Sequence, residues 1–337
     1  MQPDDYTAPP RAPRMQTDPY ANDPGRWAHS LVHHAEILLP CLDIAKARSV
    51  VEVGAYAGDL TSVLTDWAAA SGARVWAVDP SPQDELVELD RERQELELVR
   101  ETSLDALPRI PLADAVVIDG DHNYHTVSEE LRLIAERAGE SELPLLLFHD
   151  VCWPHGRRDD YFDAELIPHD RRQPIAEGGG LFPGVSGVRP GGLPYRGAAA
   201  REGGPRNGVL TAVEDFVDSR DDLELVVLPV FFGLGVVWPR SAAYASDLAE
   251  HLEVWNRNSL LERLEANRVL HLAVAHFHFV EASQAKDKIS RQEALLRRLV
   301  NSSAFSLAER LSRLRHRLGI ARGEAIVSKE EIRRVLD

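Results

Sequence analysis

The chain has 337 residues, 44% of them apolar, and a formal net charge of −16. That is enough apolar material for a large core and enough length for about two domains, while the acidic balance argues against a general nucleic-acid binder, which needs a basic face. Two cysteines, Cys41 and Cys152, imply no disulfide framework; no run of about 18 apolar residues is present to span a bilayer, and with no charged-then-apolar leader pattern the expected compartment is the cytoplasm.

Residues 1–25 are rich in Pro, Asp and other polar residues, so a disordered or loosely draped arm is predicted. A helix follows from Arg26 to Ala47, with Trp27, Leu31, His34, Ile37 and Leu38 sharing a face. Strands and helices then alternate. Strands are predicted at Ser49–Val53, Arg74–Val78, Leu96–Arg100, Ala113–Ile118 and Pro144–Phe148. Helices are predicted at Leu60–Ala70, Glu85–Glu95 and Thr126–Ala138. Continuous apolar strands separated by helices indicate a parallel sheet covered on both faces.

The stretch 152–207 breaks this rhythm with Gly, Pro and Arg. A segment so long without periodicity reads as a lid-like insertion. A helix at Gly208–Ser219 resumes the pattern. Two apolar runs, Leu223–Phe231 and Leu234–Trp238, meet around Phe232-Gly233. That spacing allows only an antiparallel hairpin. After Pro239 the chain reads as helical, with Leu261, Leu264, Leu272 and Phe279 on one face of a long helix. The expected organisation is an arm over 1–25, an α/β domain over 26–239 and a helical extension over 240–337. From Lys286 onward there are 13 Lys or Arg against 7 Asp or Glu, so a tail of about +6 follows a body of about −22. Such a tail suits docking on its own body, a partner chain or an anionic surface; homo-oligomerisation through these helices is the expectation.

The first strand ends in Glu52-Val53-Gly54-Ala55-Tyr56-Ala57-Gly58, and the second ends in Asp79. Glycines let the backbone turn sharply and approach a ligand. A carboxylate at the second strand's end can accept both hydroxyls of a ribose. Together they suit an adenosine-bearing ligand at the point where strand order reverses. The spacing is Gly-x-x-x-Gly, without the middle glycine that lets a pyrophosphate lie against the backbone. Tyr56 would obstruct that approach, and Glu52 favours a cationic sulfonium and amino group over a polyanion.

These features resemble the class I S-adenosylmethionine-dependent methyltransferases over roughly Ser49–Trp238, and the hairpin is the most discriminating of them. The resemblance implies a doubly wound, mostly parallel seven-stranded Rossmann-like sheet closed by an antiparallel hairpin, with a helical extension beyond it. It implies that Glu52, Gly54 and Gly58 border the methionine part of the cofactor and that Asp79 holds the ribose; Tyr56, inside that turn, is a further candidate for cofactor binding. Many members meet the adenine amine with an Asp after strand three. Here Glu101-Thr102-Ser103 stands there, so Thr102 and Ser103 become the candidates.

Strand four leads into Asp119-Gly120-Asp121-His122, and strand five into His149-Asp150. Neighbouring strands lie about 4.8 Å apart, so these groups are expected to crowd beside the cofactor, Asp119 against it. Two chemistries compete. His122 or His149, near an ordinary imidazole pKa of about 6.5, would serve as general base with Asp119 beside it. Alternatively Asp119, His149 and Asp150 would bind a divalent metal, Mn²⁺ or Fe²⁺ more readily than Mg²⁺. The arrangement resembles the subgroup containing macrocin-type sugar O-methyltransferases and cephalosporin-methoxylation proteins. There an acid ends strand four and an acidic pair ends strand five around a metal. Asp119 and Asp150 match, and His149 stands in place of the first acid of the pair.

Trp153, Tyr161 and Phe162 in the insertion are available to stack on a sugar-like or flat face, and Arg157 and Arg158 to grip an anionic group. The expected reaction is methyl transfer to an oxygen of a small molecule or sugar. The alternatives are a nicotinamide-dependent oxidoreductase or epimerase, and a non-catalytic module that keeps the cofactor pocket.

Overall fold

The structure, a computed structural model, describes residues 30–320 and 327–336. The predicted arm and the start of the first predicted helix lie outside those residues. The chain divides into two compact units, one ending at Val274 and the other beginning at Ala275.

In the first unit the elements run α1 (Ala35–Ile44), β1 (Ser49–Val53), α2 (Asp59–Ser71), β2 (Arg74–Val78), α3 (Asp84–Glu92), β3 (Leu96–Val99), α4 (Ser103–Ala106), β4 (Ala115–Ile118), α5 (Tyr124–Ala138), β5 (Leu145–His149), α6 (Val209–Asp218), β6 (Leu223–Leu228), β7 (Leu234–Pro239) and α7 (Ala245–Glu253). The long helix α8 (Ser259–Asn301) follows, then α9 (Ser303–Arg317) and α10 (Lys329–Leu336).

The seven strands form one sheet in the order β3-β2-β1-β4-β5-β7-β6. The β1–β2, β2–β3, β1–β4 and β4–β5 pairs are parallel. Strand β7 runs antiparallel to both β5 and β6. This is the seven-stranded, mostly parallel architecture expected from the apolar runs. All four residues of β4 and all five of β5 are buried, as a sheet covered on both faces requires. One face packs Val50, Ala77, Val117 and Leu147 against Leu42, Leu64 and Leu86. The other packs Val51, Val116 and Leu146 against Val127, Leu131 and Val213.

Strand order reverses between β1 and β4, so the turns after them open a crevice at the sheet's carboxyl end. The boundary drawn at 239 falls inside the core: Leu248 and Leu252 of α7 are fully buried in it. On α8, Leu264 and Phe279 are 55% and 54% exposed. The residues that helix buries in the first unit are Glu265, Val269 and Ala273. The expected face is therefore divided: Leu261 and Leu272 are half-buried, Leu272 packing with Leu193 and Ala273, while Leu264 and Phe279 face outward.

Two fully interior carboxyls carry a pH signature. Burial pushes Glu52 and Glu130 each up to about 8. Glu130 has 0% exposure. A carboxyl raised in the folded state favours folding below its unfolded pKa and loses that contribution as pH rises toward 8. Glu130→Gln, which removes the ionisation, is therefore expected to stabilise the protein at pH 8.5 by about 2–4 kcal/mol. Little difference is expected at pH 5. Thermal unfolding at both pH values checks this, and an equal shift in melting temperature at the two would refute it.

Candidate active site

The turn after β1 is shaped by Gly54 and Gly58, both at φ +86°. The Gly54 amide donates to the Val78 carbonyl at 2.9 Å, tying the turn to β2. A Cβ on Gly54 would run into the backbone of Asp119 and Gly120. The glycine thus permits β1 and β4 to end in contact.

Asp79, 7% exposed, organises the turn from the other side. Its Oδ2 accepts from the Tyr56 amide at 2.8 Å and its Oδ1 from the Ser81 amide at 2.7 Å. Each oxygen keeps a lone pair for a further donor. Glu52 accepts from the Thr61 hydroxyl at 2.6 Å. Thr61 is a partner that the sequence pattern did not flag; it lies in the first turn of α2. Tyr56 has φ +43° and a side chain turned outward, 64% exposed. Thr102 caps α4, its Oγ1 accepting from the Asp105 amide and donating to the Asp105 carboxylate. Ser103 is nearly buried.

Glu52, Gly54, Tyr56, Asp79, Ser81, Thr102 and Ser103 line one cavity of about 1010 Å³, together with Asp119, Asp121 and His122. Gly58 closes the turn behind it as the N-cap of α2. The far wall comes from the insertion, through Phe162, Asp163, Leu166 and Ile167. Among the described lining residues are seven carboxylates and no Lys or Arg.

The groups ending β4 and β5 do converge. His149 Nδ1 lies 3.0 Å from Asp119 Oδ1 and 3.6 Å from Asp150 Oδ2. His122 Nε2 lies 3.0 Å from Asp150 Oδ2 and 3.4 Å from Asp119 Oδ1. The donor atoms of Asp119, His149 and Asp150 all lie within 4.8 Å of one another, and so do those of His122, Asp150 and His155. Asp150 adopts φ +56°, a strained conformation for a non-glycine residue of the kind concentrated at functional sites. Its Oδ1 is buried and has no hydrogen-bond partner.

His149 sits behind the cavity wall. It is 1% exposed, and its Nε2 donates to the Phe231 carbonyl at 3.1 Å. That bond turns Nδ1 toward the two acids. His122 reaches the cavity itself. His155, inside the segment read as a lid, stacks on His122 with ring centroids 5.0 Å apart. Sequence reasoning gave it no role, because nothing in the aperiodic insertion signals which of its residues turn inward.

Electrostatics change the expected state of both rings. Burial opposes charge on His149, but Asp119 and Asp150 outweigh it and hold the ring up to about 9. Burial likewise opposes charge on His122, and Asp150 and Asp119 lift it well above its ordinary value. Burial would raise the carboxyls, yet His149 and His122 hold Asp150 well below the usual range, and Asp119 is lowered too. The expectation of an imidazole near 6.5 is therefore not met: the two acids raise both rings and favour their protonated forms. His34, beside His149, is held neutral by burial, down to about 3, and bonds the Val230 carbonyl at 3.0 Å.

The insertion's arginines do not face the cavity. Arg157 pairs with Glu214 at 2.6 Å. Arg158 is fully buried and donates to the Ala199 and Ser186 carbonyls. Tyr161 is buried too, its hydroxyl donating to Asp159 at 2.7 Å. Trp153 packs against Leu193 and Ala273. Of the three aromatics proposed for stacking, only Phe162, 71% exposed, borders the cavity.

Residues 51–151 match the family described as a methyltransferase domain. The match runs from β1 through the end of β5, and it supports the methyltransferase class expected from the turn and hairpin. Among solved structures, the S-adenosylhomocysteine-bound methyltransferase PaMTH1 of Podospora anserina is similar at a TM-score of 0.38 and 11% identity, covering 66% of this chain and 88% of that one. A methyltransferase from Geobacter sulfurreducens is similar at 0.35 and 13%, covering 68% and 92%. Human N-acetylserotonin methyltransferase, in complex with S-adenosylmethionine, is similar at 0.35 and 14%, covering 65% and 57%. These are distant likenesses. No curated protein matches the chain.

Proposed function

We propose that this enzyme transfers the methyl group of S-adenosylmethionine to a hydroxyl oxygen of a small molecule or sugar, assisted by a divalent metal ion. The observation that carries the reading is a single cavity lined by Glu52 and Asp79 together with Asp119 and His122. S-adenosylmethionine supplies an electrophilic methyl on a cationic sulfur, which leaves as a neutral thioether when the acceptor oxygen attacks.

The chain's own groups fit that cofactor. Asp79 offers spare lone pairs to a ribose. Glu52, at about 8 when surrounded only by protein, ionises more readily beside an amino group or sulfonium. Thr102 and Ser103 line the same cavity and are the candidates to meet the adenine. Asp119, His149 and Asp150 fit a metal: two carboxylates and one imidazole whose far nitrogen is already anchored, with Asp150 Oδ1 still lacking a partner. A divalent ion there would acidify an acceptor hydroxyl. This reading is favoured over a free histidine base by Asp150 Oδ1, a buried carboxylate oxygen whose missing partner a cation would supply. The pattern follows the macrocin-type subgroup, with His149 as its departure.

The acceptor is uncharged or cationic. Seven carboxylates without a described Lys or Arg repel phosphate or sulfate esters.

Isothermal titration and a radiolabelled methyl-transfer assay against hydroxylated acceptors, with and without chelator, test this. S-adenosylmethionine should bind and NADH should not; tighter binding of NADH would overturn the cofactor reading. Methyl transfer unchanged by chelator would overturn the metal. Asp79→Ala is expected to weaken S-adenosylhomocysteine binding about 10- to 100-fold, as loss of hydrogen bonds to a charged group predicts.

A further inference from the structure

The second unit, taken by itself, contains a helix that faces the wrong way for a packed element. Helix α9 advances about 100° per residue, which places Leu307, Leu311, Leu314 and Leu318 on one narrow stripe. That spacing would ordinarily mark the buried face. Here these residues are 59%, 52%, 53% and 63% exposed. The opposite side is the one turned inward: Glu309 is buried, and Phe305, Ala308 and Ser312 are half-buried. Glu309 accepts from Arg313 one turn further along the same helix, and it accepts at 3.4 Å from the Lys329 amide that opens α10, the bond that ties this side down. The apolar stripe is thus held outward by contacts made on its back.

The rim of the stripe has one sign. Arg310 and Arg317 follow one edge and Arg315 the other. Glu309, on the inward side, is the only acid of the helix. A second copy laid on this stripe would set arginine against arginine in either direction, which opposes pairing. A surface that is apolar below and anionic above satisfies both parts at once. Leucines enter the acyl boundary while arginines stay at the level of the headgroups.

We propose that α9 is an interfacial anchor that lays its leucine stripe on a bilayer bearing anionic lipid. About 15 residues is enough to lie in the interface and too short to cross. The body before Lys286 carries about −22 and adds nothing to this attraction, which is confined to the basic tail in which α9 sits.

Flotation of the full chain with vesicles tests this. Vesicles of phosphatidylcholine with about a third phosphatidylglycerol should bind at least about tenfold more tightly than phosphatidylcholine alone, and high salt should release the protein. The pair Leu311→Gln with Leu314→Gln should lose binding about tenfold or more, and the triple Arg310→Gln, Arg315→Gln, Arg317→Gln should lose the lipid preference. Both should keep the wild-type melting temperature, since none of the five side chains is buried. Equal binding to both vesicle types, or none, overturns the proposal. So does a dimer in lipid-free buffer that the leucine variant dissociates, which would make the stripe a contact between copies. If the leucine variant unfolds, the arginine variant decides on its own.

Discussion

Asp119→Asn is expected to lower kcat/KM for methyl transfer by about 100- to 1000-fold, or roughly 3–4 kcal/mol of transition-state stabilisation. Asp119 is the group that both ends of the site share. It lines the cavity, and it faces His149 Nδ1 at 3.0 Å and His122 Nε2 at 3.4 Å. The amide keeps the volume and loses the charge. Under the metal reading it removes one of two anionic ligands. Under a histidine reading it removes the counter-ion of both rings. S-adenosylhomocysteine affinity should change by only a few-fold, because the Glu52 and Asp79 cradle is untouched. A rate within threefold of wild type, measured with saturating metal and cofactor, would remove Asp119 from the chemistry.

Gly54→Ala should abolish cofactor binding and lower the melting temperature by about 5–10 °C, as a cost of several kcal/mol predicts for a unit of this size. Two effects combine. The φ of +86° is disfavoured for any side chain. The added methyl would also meet the Asp119 carbonyl and Gly120 Cα, and no rotamer relieves contact between main chains. Gly72→Ala separates the two effects. Gly72 has φ +71° but open space around it, so its cost should be about 1 kcal/mol, with cofactor binding intact. Equal losses at both glycines would show that backbone conformation alone matters.

The turn that these glycines build was readable because its requirements are local. A sharp bend after an apolar strand needs glycine within a few residues, and an acid one strand later completes it. The hairpin was readable for the same reason: two apolar runs so close in sequence have one way to pair. The convergence of Asp119 with His149 and Asp150 followed once β4 and β5 were taken as neighbours. What did not follow was orientation. Periodicity places His149 at a strand end but does not say that its ring lies behind the wall, nor that Phe231 holds its far nitrogen. Protonation was misread with it, because a histidine between two buried carboxylates cannot keep its ordinary pKa. Arg157, Arg158 and Tyr161 looked available in a loop of polar composition, yet their partners, Glu214, Ala199 and Asp159, come from contacts that no short pattern encodes. On α8 the spacing placed Leu264 and Phe279 on one face, and their exposure, like that of the α9 stripe, runs against the rule that such a face is packed.

The bond from His149 to Phe231 leads further along the chain. Phe231 and Phe232 both hold left-handed backbone, at φ +47° and +67°. Glu265 accepts from the Phe232 amide at 2.8 Å, and the Arg268 guanidinium lies 4.4 Å from the Phe232 ring centre. Arg268 is fixed in turn by two bonds to Glu265. The first turns of α8 thus brace the hairpin tip that sets the tilt of a histidine at the end of β5. In an evolving lineage, the strands and the opening of this helix could not be inherited apart. A tail exchanged by recombination would have to bring its own Glu and Arg at those positions, or the crossover would have to fall beyond Arg268.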